Sequence, residues 1–137
     1  MSEVNLQDWV GRQQRVTDFI SLAHAKKTAY SVNAPLPTDG GALPHLWHWA
    51  YFIEAAPLNE LGGDGHPARG GFLPPADNRN RMWAGGRLSF ERHLVIGKEA
   101  TCITTIKAVV EKEGRTGKLL CVTLEHRYEQ DGELCLT

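Results

Sequence analysis

No stretch of this sequence is apolar for the roughly 20 residues that a membrane-crossing helix requires. Charge of neither sign is in excess. Lys and Arg number 15, Asp and Glu 16, and the net charge is -1. That balance offers nothing to hold nucleic acid or an anionic membrane surface. Cysteine is scarce and odd in number. Cys102, Cys121 and Cys135 contain no C-x-x-C pair, and each lies in an apolar, strand-like stretch. They read as small buried hydrophobes in a reducing cytoplasm, not as disulfide partners or metal ligands. The first residues, MSEVNLQDW, show neither a basic nor an apolar segment, so no secretory signal is expected. Proline is absent outside residues 35–75.

What is present suits one domain over residues 1–137. A chain of about 150 residues buries roughly 70% of its unfolded surface, enough for a core without staples. The apolar share, 42%, is ordinary for a globular protein.

Residues 5–10, NLQDWV, predict one or two helical turns that Gly11 ends. Residues 12–20 alternate weakly and predict a first strand. Ser21 is the expected N-cap of a helix of about 12 residues. Its apolar face would hold Leu22, Ala23, Ala25, Ala29 and Val32.

All seven prolines then fall between Asn33 and Asn80, with many glycines. Loops this long are usually functional or disordered, and the stiffness of proline favours a packed binding loop. Within this region HLWHWAYFI (45–53) reads as a buried strand or short helix.

From Arg81 onward the pattern predicts antiparallel strands: MWAGGRLSFERHL, EATCITTIKAVVEKE, KLLCVTLEHRYE and ELCLT. Cys102, Thr104, Ile106, Ala108 and Val110 share one face by period two. Asp131-Gly132 is a hairpin signal, because both residues tolerate positive φ. Short connections without helices mean antiparallel pairing. One helix laid over such a sheet is an α+β, hot-dog arrangement. ELCLT stops after five residues, against the roughly dozen of 118–129 it would pair with, so the last strand is expected to be truncated.

Three stretches resemble a known family. RMWAGGRLSFERHLVIGKEA (81–100), the hairpin at 107–134, and LPHLWHWAYF (43–52) with GGDGHPARGGFLPP (62–75) are similar to MaoC-like hot-dog hydratases and dehydratases. The likeness is to the N-terminal half of mesaconyl-CoA/itaconyl-CoA hydratase-like proteins, relatives of the type 2 hydroxyacyl-thioester dehydratases. It implies action on an acyl-CoA thioester, with CoA as part of the substrate and no other cofactor. It implies two hot-dog halves, the catalytic one bearing a D-x-N-x-x-H motif. This sequence has no such motif. The implied role is the half that shapes the acyl pocket, as a homodimer or as a heteromer with a catalytic hot-dog subunit. A self-sufficient homodimeric hydratase or thioesterase, and a non-catalytic acyl-CoA-binding module, stand as alternatives.

Hydration of an enoyl thioester needs an acid/base pair and N–H donors aimed at the thioester oxygen. Asp18 and His24 lie at the helix entry as the family's Asp and His do, but at a spacing of six, one more than the family's pattern, and without its Asn. Their plainer reading is an acid near a helix N-terminus and a half-exposed helix residue. Gly85 and Gly86 lie where the resemblance puts an oxyanion glycine, or else form a simple bulge. Trp47, Trp49 and Trp83 are candidate acyl-pocket walls, or plain core, as are Tyr51 and Phe52. His45 and His48 lie three apart, but no Cys, Asp or Glu completes a metal set. His66 reads as a loop residue. Arg69, Arg79 and Arg81 either meet CoA phosphates or are solvated.

Overall fold

The structure, a computed structural model, describes residues 5–61, 72–75, 81–115 and 117–137. Its only α-helix among these residues begins where a serine can close it. Ser21 Oγ accepts from His24 N at 3.1 Å, satisfying one of the orphan donors of the first turn. The helix, α1, runs Leu22–Val32 and ends at Asn33, which takes the left-handed conformation (φ 54°) that asparagine tolerates better than most residues. Its buried face is narrower than the sequence predicted. Ala25 and Ala29 are buried and Leu22 half-buried, whereas Ala23 is exposed and Val32 is 60% exposed. Residues 22, 25 and 29 keep helical spacing, while Ala23 is turned a full 100° away from Leu22.

Four strands form one antiparallel sheet in the order β1 (Gln13–Phe19), β2 (Glu99–Gly114), β3 (Gly117–Gln130) and β4 (Glu133–Leu136). With α1 this is the expected α+β hot-dog class. The Asp131-Gly132 turn has φ of 53° and 75°, as a two-residue hairpin requires. It sets the register of β3 and β4: Gln130 faces Glu133, and Tyr128 faces Leu136 across one irregularity. No helix among the described residues is long and apolar enough to cross a membrane.

One expectation needs correction, and one open alternative is decided. MWAGGRLSFERHL is not a strand. Arg81–Ser89 is exposed and without regular structure, because Gly85-Gly86 interrupts any alternation. After β1 the regular sheet resumes only at Glu99, though Ser89–Arg92 bonds residues 135–137 through Ser89, Thr137 and Cys135 backbone atoms. Of the two readings of residues 45–53, the short helix holds and the buried strand does not. They contain a 3-10 turn, Trp47–Ala50, whose Trp49 is 62% exposed.

By its contacts the chain divides into two compact units. The first comprises Met1–Gln14, Ala55–Gly85 and Thr104–Glu125. Here a 3-10 turn, Leu6–Trp9, is capped by Asn5, and Gly11 leaves it at φ 92°. Gly11 N donates to Ile106 O at 2.8 Å and Ile106 N to Arg12 O at 3.0 Å, which starts the pairing of β1 with β2. Gln7 Nε2 donates to Val109 O at 2.7 Å. The predicted face of β2 holds through Ile106. Beyond it Val109 is buried and Val110 is 45% exposed, where the N-terminal turn lies along the strand.

The second unit comprises Arg15–Glu54, Gly86–Ile103 and His126–Thr137. Its core joins Ile20, Ala25, Leu43, Tyr51, Leu94, Ile96, Ala100, Cys102, Tyr128, Cys135 and Leu136. Each Leu or Ile so enclosed contributes about 1.5–3 kcal/mol. Cys102 and Cys135 are buried free thiols and Cys121 is half-buried, in keeping with their reading as small hydrophobes.

Candidate functional site

The residues with chemistry to offer gather in the second unit, around the entry to α1 and the Trp47–Ala50 turn. Three hydrogen bonds fasten that turn to the helix entry. Asp18, near the end of β1, accepts from Phe52 N with Oδ2 at 3.0 Å and from Phe19 N with Oδ1 at 2.9 Å. His24 Nε2 lies 2.6 Å from Ala50 O, and since a carbonyl can only accept, Nε2 carries the proton and donates. Tyr51 Oη donates to Ser21 O at 2.7 Å. The His24 and Tyr51 rings meet edge-on, 4.9 Å apart. Burial, and then the Asp18 charge, push the Tyr51 phenol above its usual pKa, so it stays a donor.

The turn they hold is strained at both ends. Leu46 has φ 76° and Phe52 φ 57°, where a side chain costs about 1–2 kcal/mol. Phe52 is held there by Asp18. Replacing Asp18 by Asn leaves one acceptor oxygen for two N–H groups, and is expected to cost about 1 kcal/mol in urea unfolding. Leu46 is 44% exposed and no side chain caps the turn there. Leu46→Gly is therefore expected to stabilise by roughly 0.5–1 kcal/mol, a rise in melting temperature measurable by calorimetry.

Beside this turn lies a group of histidines. His45 stacks on His93, centroids 3.9 Å apart and 8° from parallel, and also meets Phe90. His93 Nδ1 donates to Leu43 O at 2.9 Å. His48 is 3% exposed and leans edge-on against Tyr128 at 4.7 Å. Burial, aided by His126 and His45, lowers its pKa to about 4, so the imidazole is neutral near pH 7. Tyr128 is pushed above the usual phenol range by its own burial and by Cys102 beside it. A shallow concavity opens here, lined by Leu43, Pro44, His45, His48, Phe90, Arg92, Leu94 and Leu136.

Sequence comparison sets this arrangement among known proteins. The family model for hydroxyacyl-thioester dehydratase type 2 matches residues 46–137, from the turn to the last strand. The chain belongs to the type 2 hydroxyacyl-thioester dehydratase family. It is also 41% identical over 138 residues to the mesaconyl-C(4)-CoA hydratase of Chloroflexus aurantiacus. That match covers 99% of this chain and 49% of the relative, so the chain spans about half the length of the curated relative it matches.

In this type 2 dehydratase relative, the predicted site residues are distributed unevenly. Asp18 and His24 do reach one place, the turn at Ala50–Phe52, but through bonds to its backbone. Trp47 is half-buried against the core, whereas Trp49 is exposed. Trp83 is 80% exposed, and Gly85 has open space where a Cβ would stand. Gly86 and Arg81 are exposed as well. His66, Arg69 and Arg79, with residues 62–71 and 76–80, lie outside the described residues. Sequence reasoning passed over Phe90, His93 and Arg92. Their signal was slight: they sit in a stretch read as a plain strand, and only the fold sets them beside His45.

Proposed function

We propose that this chain is the non-catalytic, acyl-pocket-forming half of an acyl-CoA hydratase/dehydratase, corresponding to the N-terminal half of its longer relatives. It acts in the cytoplasm with a catalytic hot-dog half. The reaction adds water to, or removes it from, the α,β bond of an enoyl or 3-hydroxyacyl thioester, and calls for no cofactor besides the CoA of the substrate. The observation that carries this reading is the engagement of Asp18 and His24. A general base must aim its lone pair, and an acid its proton, at substrate, and here both side chains point at backbone groups of the helix entry and the turn. Both Asp18 oxygens accept backbone N–H groups, and His24 Nε2 gives its proton to a backbone carbonyl. The pair serves to shape the turn. Trp47 and Trp49 then supply apolar wall, and Gly86 allows close approach of a ligand to the backbone.

The test is hydration of crotonyl-CoA, followed at the loss of the enoyl thioester absorbance. The purified chain alone is expected to show no turnover above background. Mixing it with a catalytic hot-dog chain bearing D-x-N-x-x-H should restore turnover and yield a stable complex on gel filtration. Robust turnover by the chain alone, abolished in Asp18→Asn, would instead establish a self-sufficient homodimeric enzyme. Acyl-CoA binding without turnover in any mixture would leave a binding module.

A further inference from the structure

Four of the chain's six histidines gather around the Trp47–Ala50 turn. His45 and His48 belong to the segment itself, His93 follows Phe90, and His126 comes from β3. His48 is the enclosed member. It is 3% exposed and has ring contacts with Trp49 and Tyr128, but no hydrogen bond to either imidazole nitrogen among the described residues. Buried polar side chains are almost always hydrogen-bonded, as Gln130 is through Val95 N and O. An imidazole without a partner, among Leu43, Leu94 and Leu136, is held there only as the neutral form.

The groups packed around His48 offer an added proton no compensation. His45 on its own segment and His126 on β3 add positive charge as they protonate. Arg92 lines the same concavity, and His93 stacks on His45. Tyr128 on β3 stays a neutral phenol beside Cys102 of β2. The carboxylates of the region are engaged elsewhere. Asp18 accepts from Phe19 N and Phe52 N, Glu133 of β4 pairs with Arg92, and Glu54 acts on His126. From α1 comes His24, bonded to Ala50 O. In acid the region therefore gathers like charge.

The segment is also built to give way. Leu46 and Phe52, at its two ends, lie at φ 76° and 57°. Three bonds fasten it to the helix entry: Phe52 N to Asp18, Ala50 O to His24, and Tyr51 Oη to Ser21 O. Local opening concentrates where strain is stored and fastenings are few.

We propose that residues 46–52 form an acid-sensitive flap, which opens locally as the histidines around it take up protons while the sheet stays formed. The open form exposes His48 and binds a proton, and the closed form excludes it. Opening is therefore rare at pH 7 and grows as pH falls below 6.5. Trp47 and Trp49 ride on the flap, so opening also parts the pocket wall. That consequence rests on the function proposed above. The opening itself does not, and it is tested without substrate.

The measurement is amide hydrogen exchange in the full chain at pH 7 and pH 5, corrected for the intrinsic effect of pH on exchange. Trp47, Trp49, Tyr51 and Phe52 report on the flap, since each amide is hydrogen-bonded in the closed form. Ile96 N, bonded to Gly41 O, and Gly97 N, bonded to Ile20 O, report on the body. Flap opening is expected to rise about twentyfold from pH 7 to pH 5, because the imidazole held near 4 returns to about 6.5 on exposure. Ile96 and Gly97 should exchange far more slowly at both pH values. His48→Phe keeps a ring against Tyr128 and should cut the rise to below about threefold. Asp18→Asn loosens one fastening. It should speed all four flap amides about fivefold at both pH values and leave the twentyfold rise in place. Equal flap opening at pH 7 and pH 5 would overturn the proposal. So would flap amides as slow as Ile96 and Gly97, a rise retained in His48→Phe, or an Asp18→Asn variant in which Phe52 alone is freed. None of these outcomes bears on whether a catalytic half is required, which the crotonyl-CoA test decides separately.

Discussion

Taking the protein from pH 7 to pH 4 is expected to cost about 3 kcal/mol of stability through His48 alone. In the unfolded chain the imidazole titrates near 6.5, and in the folded protein near 4, chiefly because burial disfavours the cation. Between those values the unfolded state binds a proton that the folded state does not. Stability therefore falls as pH drops through 6.5, continues to fall to about 4, and levels below that. His45 and His126 act on His48 in the same sense, each adding positive charge nearby as it protonates. Urea unfolding at pH 7, 5.5 and 4 measures the effect directly. The wild-type curve should lose stability across that range, and His48→Phe should lose about 3 kcal/mol less by pH 4. Parallel pH curves for the two proteins would show that His48 is not held neutral.

Gly97→Ala is expected to cost about 2–3 kcal/mol, or roughly 10 °C in melting temperature. Gly97 lies at φ 96°, a conformation that L side chains rarely adopt, and a Cβ there would run into the Asp39 carboxylate. The residue cannot relax easily, because backbone bonds hold it on both sides. Its own N donates to Ile20 O at 2.7 Å, and Ile20 N donates to Lys98 O at 3.0 Å. Ile96 N donates to Gly41 O at 2.9 Å. These bonds tie the end of β1, residues 40–43 and the start of β2 into one corner. Asp39 is exposed and able to swing away, so the double variant Gly97→Ala/Asp39→Ala should recover the collision and leave the φ cost of about 1–2 kcal/mol. Full recovery in the double variant would show that conformation contributes nothing.

Much of the fold was legible because it rests on local rules. Ser21 caps the helix, Asn33 ends it, and Asp131-Gly132 turns the last hairpin, each through the conformational preference of one or two residues. Period-two alternation located β2, β3 and β4. The same rule failed at residues 82–94, where apolar and polar residues alternate but two glycines interrupt the run and leave its first part irregular, although Ser89–Arg92 bonds residues 135–137. At residues 45–53 the sequence left a buried strand and a short helix open. Their aromatic content looked like core, yet Asp18 and His24, far away in sequence, bend the backbone into a 3-10 turn that leaves Trp49 outside.

By sequence alone, then, the α+β class, the single helix, the antiparallel hairpins and the family likeness were determined, since periodicity, capping and turn chemistry act over a few residues. Only the tertiary structure decided what the polar residues do. Asp18 and His24 have the identities of an acid/base pair, but whether an oxygen or a nitrogen is free depends on which backbone group folding brings to it. His48 was legible only as one of two histidines three apart, and its burial arises among residues 43–51, 90–94 and 126–136. Contacts of that kind join segments dozens of residues apart, and no local pattern records them.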